Sequence, residues 1–363
     1  MGLETYLRFD RPLRVLCNAK RIGAHHDKIA TLRMSDRVPD QPIHGTDVCA
    51  IVVTYRPDAE FPGRLSGVSP QVGMTIIVDN GSSDAERSML REAASDPNTD
   101  LVFNADNLGL ARALNIGIQR AATLGFSWLL LLDQDTRVEA DMVRTLLAIH
   151  ASFPDRERLA VLGSNFSDAT ERSGHAIGHE SPDRQWEEVE RVITSGSLLP
   201  LETHVAIGPF REEFFIDYVD EEYCLRAKAK GYRIIKSRKH LMSHAIGSPT
   251  VHKRFGTSKW TTNHGPDRRY YIARNNTVLL REYGEYRAGM WAWKSFRRCL
   301  RQCKRIALYE RMKTRKIVAV FHGLWDGIRG NMGPRSRRPG TSTAAPTATT
   351  SVDSGRKTSR PAA

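Results

Sequence analysis

Leu129-Leu130-Leu131-Leu132, preceded by Trp128 and ended by Asp133-Gln134-Asp135-Thr136, is the stretch that most narrows what this chain can become. A short apolar run stopped abruptly by polar residues reads as a strand buried on both faces, the kind found inside a parallel sheet. Its two acids then stand at the carboxyl end of the strand, the edge at which open α/β sheets bind ligands. Side chains two apart in an extended chain point the same way, so Asp133 and Asp135 can converge on one object. Oxygen ligands of this kind suit Mg²⁺ or Mn²⁺, held by one or two carboxylates and completed by water and the oxygens of a diphosphate. Asp and Thr are also ordinary turn residues, and the same pattern serves a strand that merely closes into the next helix.

The preceding segments repeat this design. Val48 to Val53 reads as a buried strand ended by Thr54-Tyr55-Arg56-Pro57, and Met74 to Val78 as a second one. The second stops at Asp79-Asn80-Gly81-Ser82-Ser83-Asp84, where Ser83 or Asp84 can cap a helix running to about Ala94. A third strand near Leu101-Val102-Phe103 leads through Asn107-Leu108-Gly109 into a helix with apolar residues at Leu110, Ala113, Leu114, Gly117, Ile118 and Ala121. This alternation predicts an α/β fold with a doubly wound, mostly parallel sheet. Neither the G-x-G-x-x-G fingerprint nor a Walker pattern follows the first strand, which argues against dinucleotide enzymes and P-loop enzymes. Polar residues end each strand instead. An Asp at the second strand end can accept a hydrogen bond from the imide N–H of uracil or thymine, while backbone amides and Arg meet ribose and phosphate.

The net charge of +13 would suggest a nucleic-acid partner if it were spread over the chain. Residues 287–338, however, hold 15 Lys and Arg against Glu310 and Asp326, so this region accounts for the whole excess. Within it, Trp293, Phe296, Leu300, Cys303 and Ala307 recur at helical spacing, and so do Ile317, Val320, Phe321, Leu324, Trp325 and Ile328. Apolar stripes with cationic flanks read as helices on an anionic membrane surface; packing of the stripes on the domain is the alternative. No nucleic-acid reader motif accompanies the charge, so nucleic acid is not an expected partner. No apolar run of 18 residues and no signal-peptide pattern is found, and the five scattered cysteines lack zinc-ligand spacing; a cytoplasmic protein with reduced thiols is expected. Residues 1–46 are polar and aperiodic, and the tail from 335 to 363 has the composition of a disordered segment.

Thr54-Tyr55-Arg56, Val78-Asp79-Asn80-Gly81-Ser82, Asn107-Leu108-Gly109 and Asp133-Gln134-Asp135, in this order, resemble the motifs of the large inverting glycosyltransferase family of the family 2 type with the GT-A fold. That family includes bacterial rhamnosyltransferases and galactofuranosyltransferases. The resemblance continues in Thr194-Ser195-Gly196-Ser197-Leu198, similar to a segment lining the acceptor side, and in Phe214 to Arg226, similar to the second acidic motif. Ser243-His244 and Arg269-Tyr270-Tyr271-Ile272-Ala273-Arg274-Asn275 resemble segments of the rhamnosyltransferase branch. The similarity runs over roughly residues 48 to 330 and implies a GT-A domain at 47–285, followed by basic amphipathic helices at 286–334.

The resemblance implies roles residue by residue. Asp220 is the implied general base, Asp135 the main metal ligand, and Asp133 a contact to ribose, donor sugar or metal. His244 is an implied third metal ligand, which would favour Mn²⁺ over Mg²⁺. Thr54, Tyr55, Arg56, Asp79, Asn107 and Gly109 are implied to hold the nucleotide, and Arg274 to meet its diphosphate. Glu221 and Glu222 are expected to face solvent or acceptor, and Asp217 is a rival for the base. Read by itself, Asp220 is well placed as a helix N-cap. The implied activity is metal-dependent inverting transfer of a sugar from a nucleotide-sugar donor to a lipid-linked saccharide or polysaccharide in bacterial cell-surface glycan synthesis. Rhamnose from dTDP-rhamnose is the first choice, and UDP-galactofuranose or another UDP-hexose the second. Peripheral attachment to the inner face of the cell membrane goes with this reading. Two rivals remain: a haloacid-dehalogenase-type phosphotransferase, disfavoured because its D-x-D strand comes first and its pattern has no place for Arg137, and a non-catalytic membrane-surface protein on the same fold.

Overall fold

A computed structural model describes residues 42–168, 184–244, 250–254, 257–261, 263–284 and 290–335, with the side chains of 167, 168, 244, 250–260, 290–296 and 298 excepted. The expected extension at 1–46 thus lies almost wholly outside the described residues, as does the tail after Arg335. The first half alternates as the hydrophobic pattern requires: β1 (Val48–Thr54), α1 (Phe61–Leu65), β2 (Met74–Asp79), α2 (Asp84–Ala93), β3 (Thr99–Phe103), α3 (Leu110–Thr123) and β4 (Trp128–Asp133). Ser83 opens α2, its backbone N–H donating to the Glu86 carboxylate at 2.7 Å, the reciprocal half of a capping box. The four strands lie in the order β3-β2-β1-β4, all parallel. Crossover helices cover such strands on both faces, and Leu129 to Leu132 are accordingly at most 2% exposed. Each fully buried leucine stabilises the fold by roughly 1.5–3 kcal/mol.

Beyond β4 the winding changes. The chain runs through β5 (Arg137–Val138), α4 (Met142–Ser152), β6 (Leu159–Asp168), β7 (Trp186–Glu188), β8 (Ser197–Pro200), α5 (Leu201–Ile207), α6 (Val219–Ala229) and β9 (Arg233–His244). The sheet extends from β4 in the order β8-β6-β9-β5, with β7 also on β9. Here β8 is antiparallel to both β4 and β6, whereas β6 and β9 are parallel. A parallel nucleotide-type half is thereby joined edge to edge with a mixed half, and β4 is the seam.

A hairpin of β10 (Thr250–Arg254) and β11 (Thr257–Thr261) precedes three helices, α7 (Pro266–Tyr283), α8 (Met290–Tyr309) and α9 (Lys313–Arg329). Pro266 stands at the first position of α7, where its missing N–H costs nothing. Helix α9 lies directly on α7: a Cβ at Gly323 would come within 2.3 Å of the Tyr270 carbonyl oxygen, so only glycine permits the approach. Glu310, between α8 and α9, is buried between Arg269 of α7 at 2.5 Å and Lys316 of α9 at 2.7 Å. Breaking one partner of such a buried group costs several kcal/mol, which ties the three helices together.

The expected stripe of α9 is divided between two faces. Val320 is buried and Ile317 and Leu324 pack inward, whereas Phe321, Trp325 and Ile328, with Val318, remain exposed, Ile328 to 63%. On α8, Cys299, Cys303 and Ile306 face the core while Leu300 is exposed; the side chains of Trp293 and Phe296 lie outside the described residues. Among the described residues no helix is long and apolar enough to cross a membrane.

Because Leu131 sits at the seam with no exposed surface to relax into, Leu131→Ala is expected to lower the unfolding free energy by about 2–5 kcal/mol, read from the midpoint of urea denaturation.

Candidate active site

Strand register brings the polar strand ends to one edge, because Thr54 stands opposite Asp79 on β2 and Val53 opposite Asp133 on β4. Asp79 is fully buried. Its carboxylate accepts from Thr54 Oγ1 at 3.2 Å and from the hydroxyl and N–H of Ser82, and Arg87 Nε approaches at 3.5 Å. A contact from Asp79 to a base imide would have to displace one of these partners. Tyr55 and Arg56 are exposed, with the Arg56 guanidinium 5.3 Å from the centre of the Tyr55 ring. Asn107 is exposed as well, and its side-chain oxygen accepts from Asn80 Nδ2 at 3.0 Å and from Gly109 N–H at 2.9 Å. Gly109 has φ +88°, and a side chain there would collide with Phe215.

The Asp133–Asp135 turn is held by contacts that the sequence does not announce. Gln134, between the two acids, accepts from Tyr55 N–H at 2.7 Å and donates back to the Tyr55 carbonyl at 3.2 Å. This pairing locks the turn to the end of β1. Ser195 Oγ accepts from Asp133 N–H at 3.0 Å and lies 2.6 Å from Thr136 Oγ1. Ser195, in the segment whose resemblance implies the acceptor side, therefore braces the turn that carries the acid pair. The middle residue of the D-x-D pattern and a small-residue segment were the visible signals, but neither names its partner.

Asp220 is the second residue of α6, not its N-cap; Tyr218 holds that position with φ +65°. The Asp220 carboxylate accepts from the N–H of Glu221 at 2.9 Å. Burial pushes its pKa up to about 6 against that hydrogen bond, and the charges of Glu221, Asp133 and Asp217 add to the rise. The ends of β4 and α6, from different halves of the chain, thus share one electrostatic field. Asp217 is also raised by burial, against the pull of Arg268, which pairs with it at 3.1 Å. A carboxylate with a guanidinium on it is the poorer proton acceptor of the two.

The expectations for Arg274 and for the Glu221–Glu222 pair are corrected. Arg274 does not reach the strand edge: it has no exposed surface, and its guanidinium donates to the carbonyls of Glu213, Phe214 and Gly333 and to Asn275 Oδ1. Glu221 and Glu222 do not face solvent. Glu221 pairs with Arg191 at 2.5 Å, and Glu222 is buried between Arg226 at 3.0 Å and the hydroxyl of Tyr283 at 2.9 Å. The side chain of His244 lies outside the described residues. Among those described, no three His, Cys, Asp or Glu side chains come together as a metal site. The oxygens of Asp133 and Asp135 are of the kind that would hold a hard cation whose remaining ligands come from water and phosphate.

Residues 74–171 match the family model described as Glycosyl transferase family 2. The dTDP-rhamnosyl transferase RfbF of Shigella flexneri is 28% identical over 249 residues, covering 65% of this chain and 81% of that protein. The low-salt glycan biosynthesis hexosyltransferase Agl10 of Haloferax volcanii is 24% identical over 200 residues, 52% of this chain and 64% of its own length. Among solved structures, S. aureus TarS superposes with a TM-score of 0.44 at 15% identity, over 64% of this chain and 39% of that one. A mannosyltransferase of Pyrobaculum calidifontis in complex with GDP-Man and Mn²⁺ gives 0.49 at 14% identity, over 84% and 93%. The chain spans less than two thirds of Agl10 and of TarS.

The raised pKa of Asp220 has a consequence for stability. A carboxyl whose pKa stands near 6 in the folded chain against 3.8 ordinarily binds its proton more tightly when folded, so stability falls as pH rises from about 4 to 6. Above that window the ionised group costs at most roughly 3 kcal/mol. Asp220→Asn is therefore expected to be more stable than the native chain at pH 7.5 in EDTA, with the difference vanishing near pH 4, as read by thermal unfolding at both pH values.

Proposed function

We propose that this chain, a glycosyltransferase with its family 2 domain at residues 74–171, moves one hexose from a nucleotide-sugar donor to a hydroxyl acceptor with inversion. The observation that supports the reading is the buried carboxyl of Asp220, raised to about 6 and within the field of Asp133 at the end of β4. Ionised Asp220 takes the proton of the acceptor hydroxyl as its oxygen bonds to the anomeric carbon. The bond from that carbon to the diphosphate breaks on the opposite side, and the nucleoside diphosphate leaves with the electron pair. A single displacement of this kind inverts the configuration. A pKa near 6 keeps the carboxyl ionised at neutral pH yet makes it a better base than a solvated aspartate.

Asp133 and Asp135 would hold Mg²⁺ or Mn²⁺. The ion, when bound, neutralises charge that develops on the departing diphosphate. Exposed Tyr55, Arg56 and Asn107 are assigned to the nucleotide, and buried Thr54, Asp79 and Gly109 shape that edge from behind them. The relative named a dTDP-rhamnosyl transferase supports L-rhamnose from dTDP-rhamnose as the first choice, with UDP-galactofuranose or another UDP-hexose as the alternative. The acceptor is a lipid-linked saccharide or polysaccharide of the bacterial surface. Exposed Val318, Phe321, Trp325 and Ile328, beside Arg315 and Arg329, support attachment of α9 to an anionic inner leaflet. Residues 47–285 then carry the chemistry and 286–334 the attachment.

A panel of nucleotide sugars with Mn²⁺ or Mg²⁺, read as release of nucleoside diphosphate, is expected to give turnover with dTDP-rhamnose that EDTA abolishes. Asp220→Asn is expected to bind dTDP as the native chain does and to lose roughly 10²- to 10⁴-fold in transfer. No turnover with any donor, or near-native transfer by Asp220→Asn, would refute the assignment.

For the membrane, the Phe321→Glu, Trp325→Glu double variant is expected to lose its binding to anionic liposomes, while the native chain binds in a salt-sensitive way. Equal sedimentation of the two with liposomes would remove the attachment from the reading.

A further inference from the structure

The backbone reaches Asp220 through a costly conformation. Phe215 (φ +65°), Asp217 (φ +61°) and Tyr218 (φ +65°) all occupy the left-handed half of backbone space, which costs a residue with a side chain of order 1–3 kcal/mol. Phe215 has ψ −65°, and the N–H of Ile216 donates to the Phe214 carbonyl at 2.8 Å. Phe215 is therefore the centre of a γ-turn of the positive-φ form, the rarer and more strained of the two. Asp220 follows Tyr218 by two residues, so its position is set by a segment that relaxes unless something holds it.

Two groups of contacts hold it. From the nucleotide side, Leu110 N–H, at the start of α3 and directly after Asn107-Leu108-Gly109, donates to the Phe215 carbonyl at 2.6 Å. From the other side, Asn275 of α7 directs its Nδ2 at the carbonyls of Phe214 and Ile216, both at 2.9 Å, and of Asp217, at 2.8 Å. An amide nitrogen has two hydrogens, so all its donor capacity is spent on this one turn. Arg274 Nε donates to Asn275 Oδ1 at 2.9 Å, which orients the amide with its NH₂ towards the turn. The Phe215 ring stacks on Tyr271, centroids 4.9 Å apart.

We propose that Asn275 is a positioning residue for the transfer step: from a fully buried place on α7, its amide holds the strained 214–218 turn and so fixes Asp220 relative to the nucleotide loop that pins the same turn at Phe215. The inference rests on the general-base reading of Asp220. A shift of about 1 Å in a reacting group can cost a hundredfold in rate, and the contacts described lie on the path that sets this group's place.

The test uses the full chain with Asn275→Ala and with Asn275→Ser, whose hydroxyl retains one donor. Transfer is expected to fall in kcat by roughly 10- to 100-fold for Asn275→Ala and less for Asn275→Ser, while the Kd for dTDP with Mn²⁺ stays within about twofold. In the Asp220→Asn background the same substitution is expected to slow transfer no further, because the group it positions is gone; a structural defect would multiply the two losses. The inference is overturned if both variants turn over within about twofold of the native chain, if kcat falls only with the folded fraction, or if the losses multiply. Should Asn275→Ala not fold, Asn275→Ser is judged by the same criteria. Near-native transfer by Asp220→Asn alone would overturn the base assignment and this inference with it, whereas an inactive Asp220→Asn beside fully active Asn275 variants would overturn the positioning role only.

Discussion

Carboxylates repel one another, and this chain brings Asp133, Asp217 and Glu221 within reach of the charge of Asp220. Left to themselves, such groups separate or take up protons. Much of the surrounding architecture is intelligible as restraint against that separation. Gln134 and Ser195 hold the turn that carries Asp133, Arg191 takes one oxygen of Glu221, Arg268 grips Asp217, and α7 holds the backbone that leads to Asp220. The acids keep their places because their partners stand on several elements of the fold, and at Asp220 burial, with the neighbouring charges added to it, becomes a raised proton affinity in place of a displacement. A cation and a diphosphate entering this edge would meet a field already directed at them.

What could be read from residues alone follows the range of the physics involved. The four apolar runs and their polar ends are local, and β1 to β4 came out in the expected parallel arrangement because burial on both faces leaves a short strand no other pattern. Asp133 and Asp220 were recognisable as acids at element ends. Their partners were not, since Gln134 meets Tyr55 and Asn275 meets Phe214 across long stretches of chain with no spacing rule to announce the pairing. Arg274 shows the difficulty most clearly. A guanidinium beside aromatic residues suggests phosphate to a reader of sequence, but here it donates to three backbone carbonyls and a neighbouring amide. Glu222 misleads in the same way, because a run of acids at a helix start looks solvated until Arg226 and Tyr283 fold over it.

The basic region had two readings, and α9 satisfies parts of both. Helical periodicity counts apolar residues without saying how wide their arc is, and the arc here is wide enough to serve two surfaces. Val320, Gly323 and Gly327 face α7, whereas Phe321, Trp325 and Ile328 are exposed. The buried Arg269–Glu310–Lys316 contact then fixes which residues point where, by placing the one acid between α8 and α9 under two cations from different helices.

The glycine seam between α7 and α9 also bears on how such a protein could diversify. The inner face of α9 is confined by the backbone of α7, where even a methyl group at Gly323 collides with a carbonyl oxygen. The outer face meets no such limit. Substitutions there would alter what the helix adheres to while leaving the Asn275 side of α7 unmoved. A lineage could therefore retarget this chain to a new surface by exchanging a few outward residues of α9, with the chemistry inherited intact.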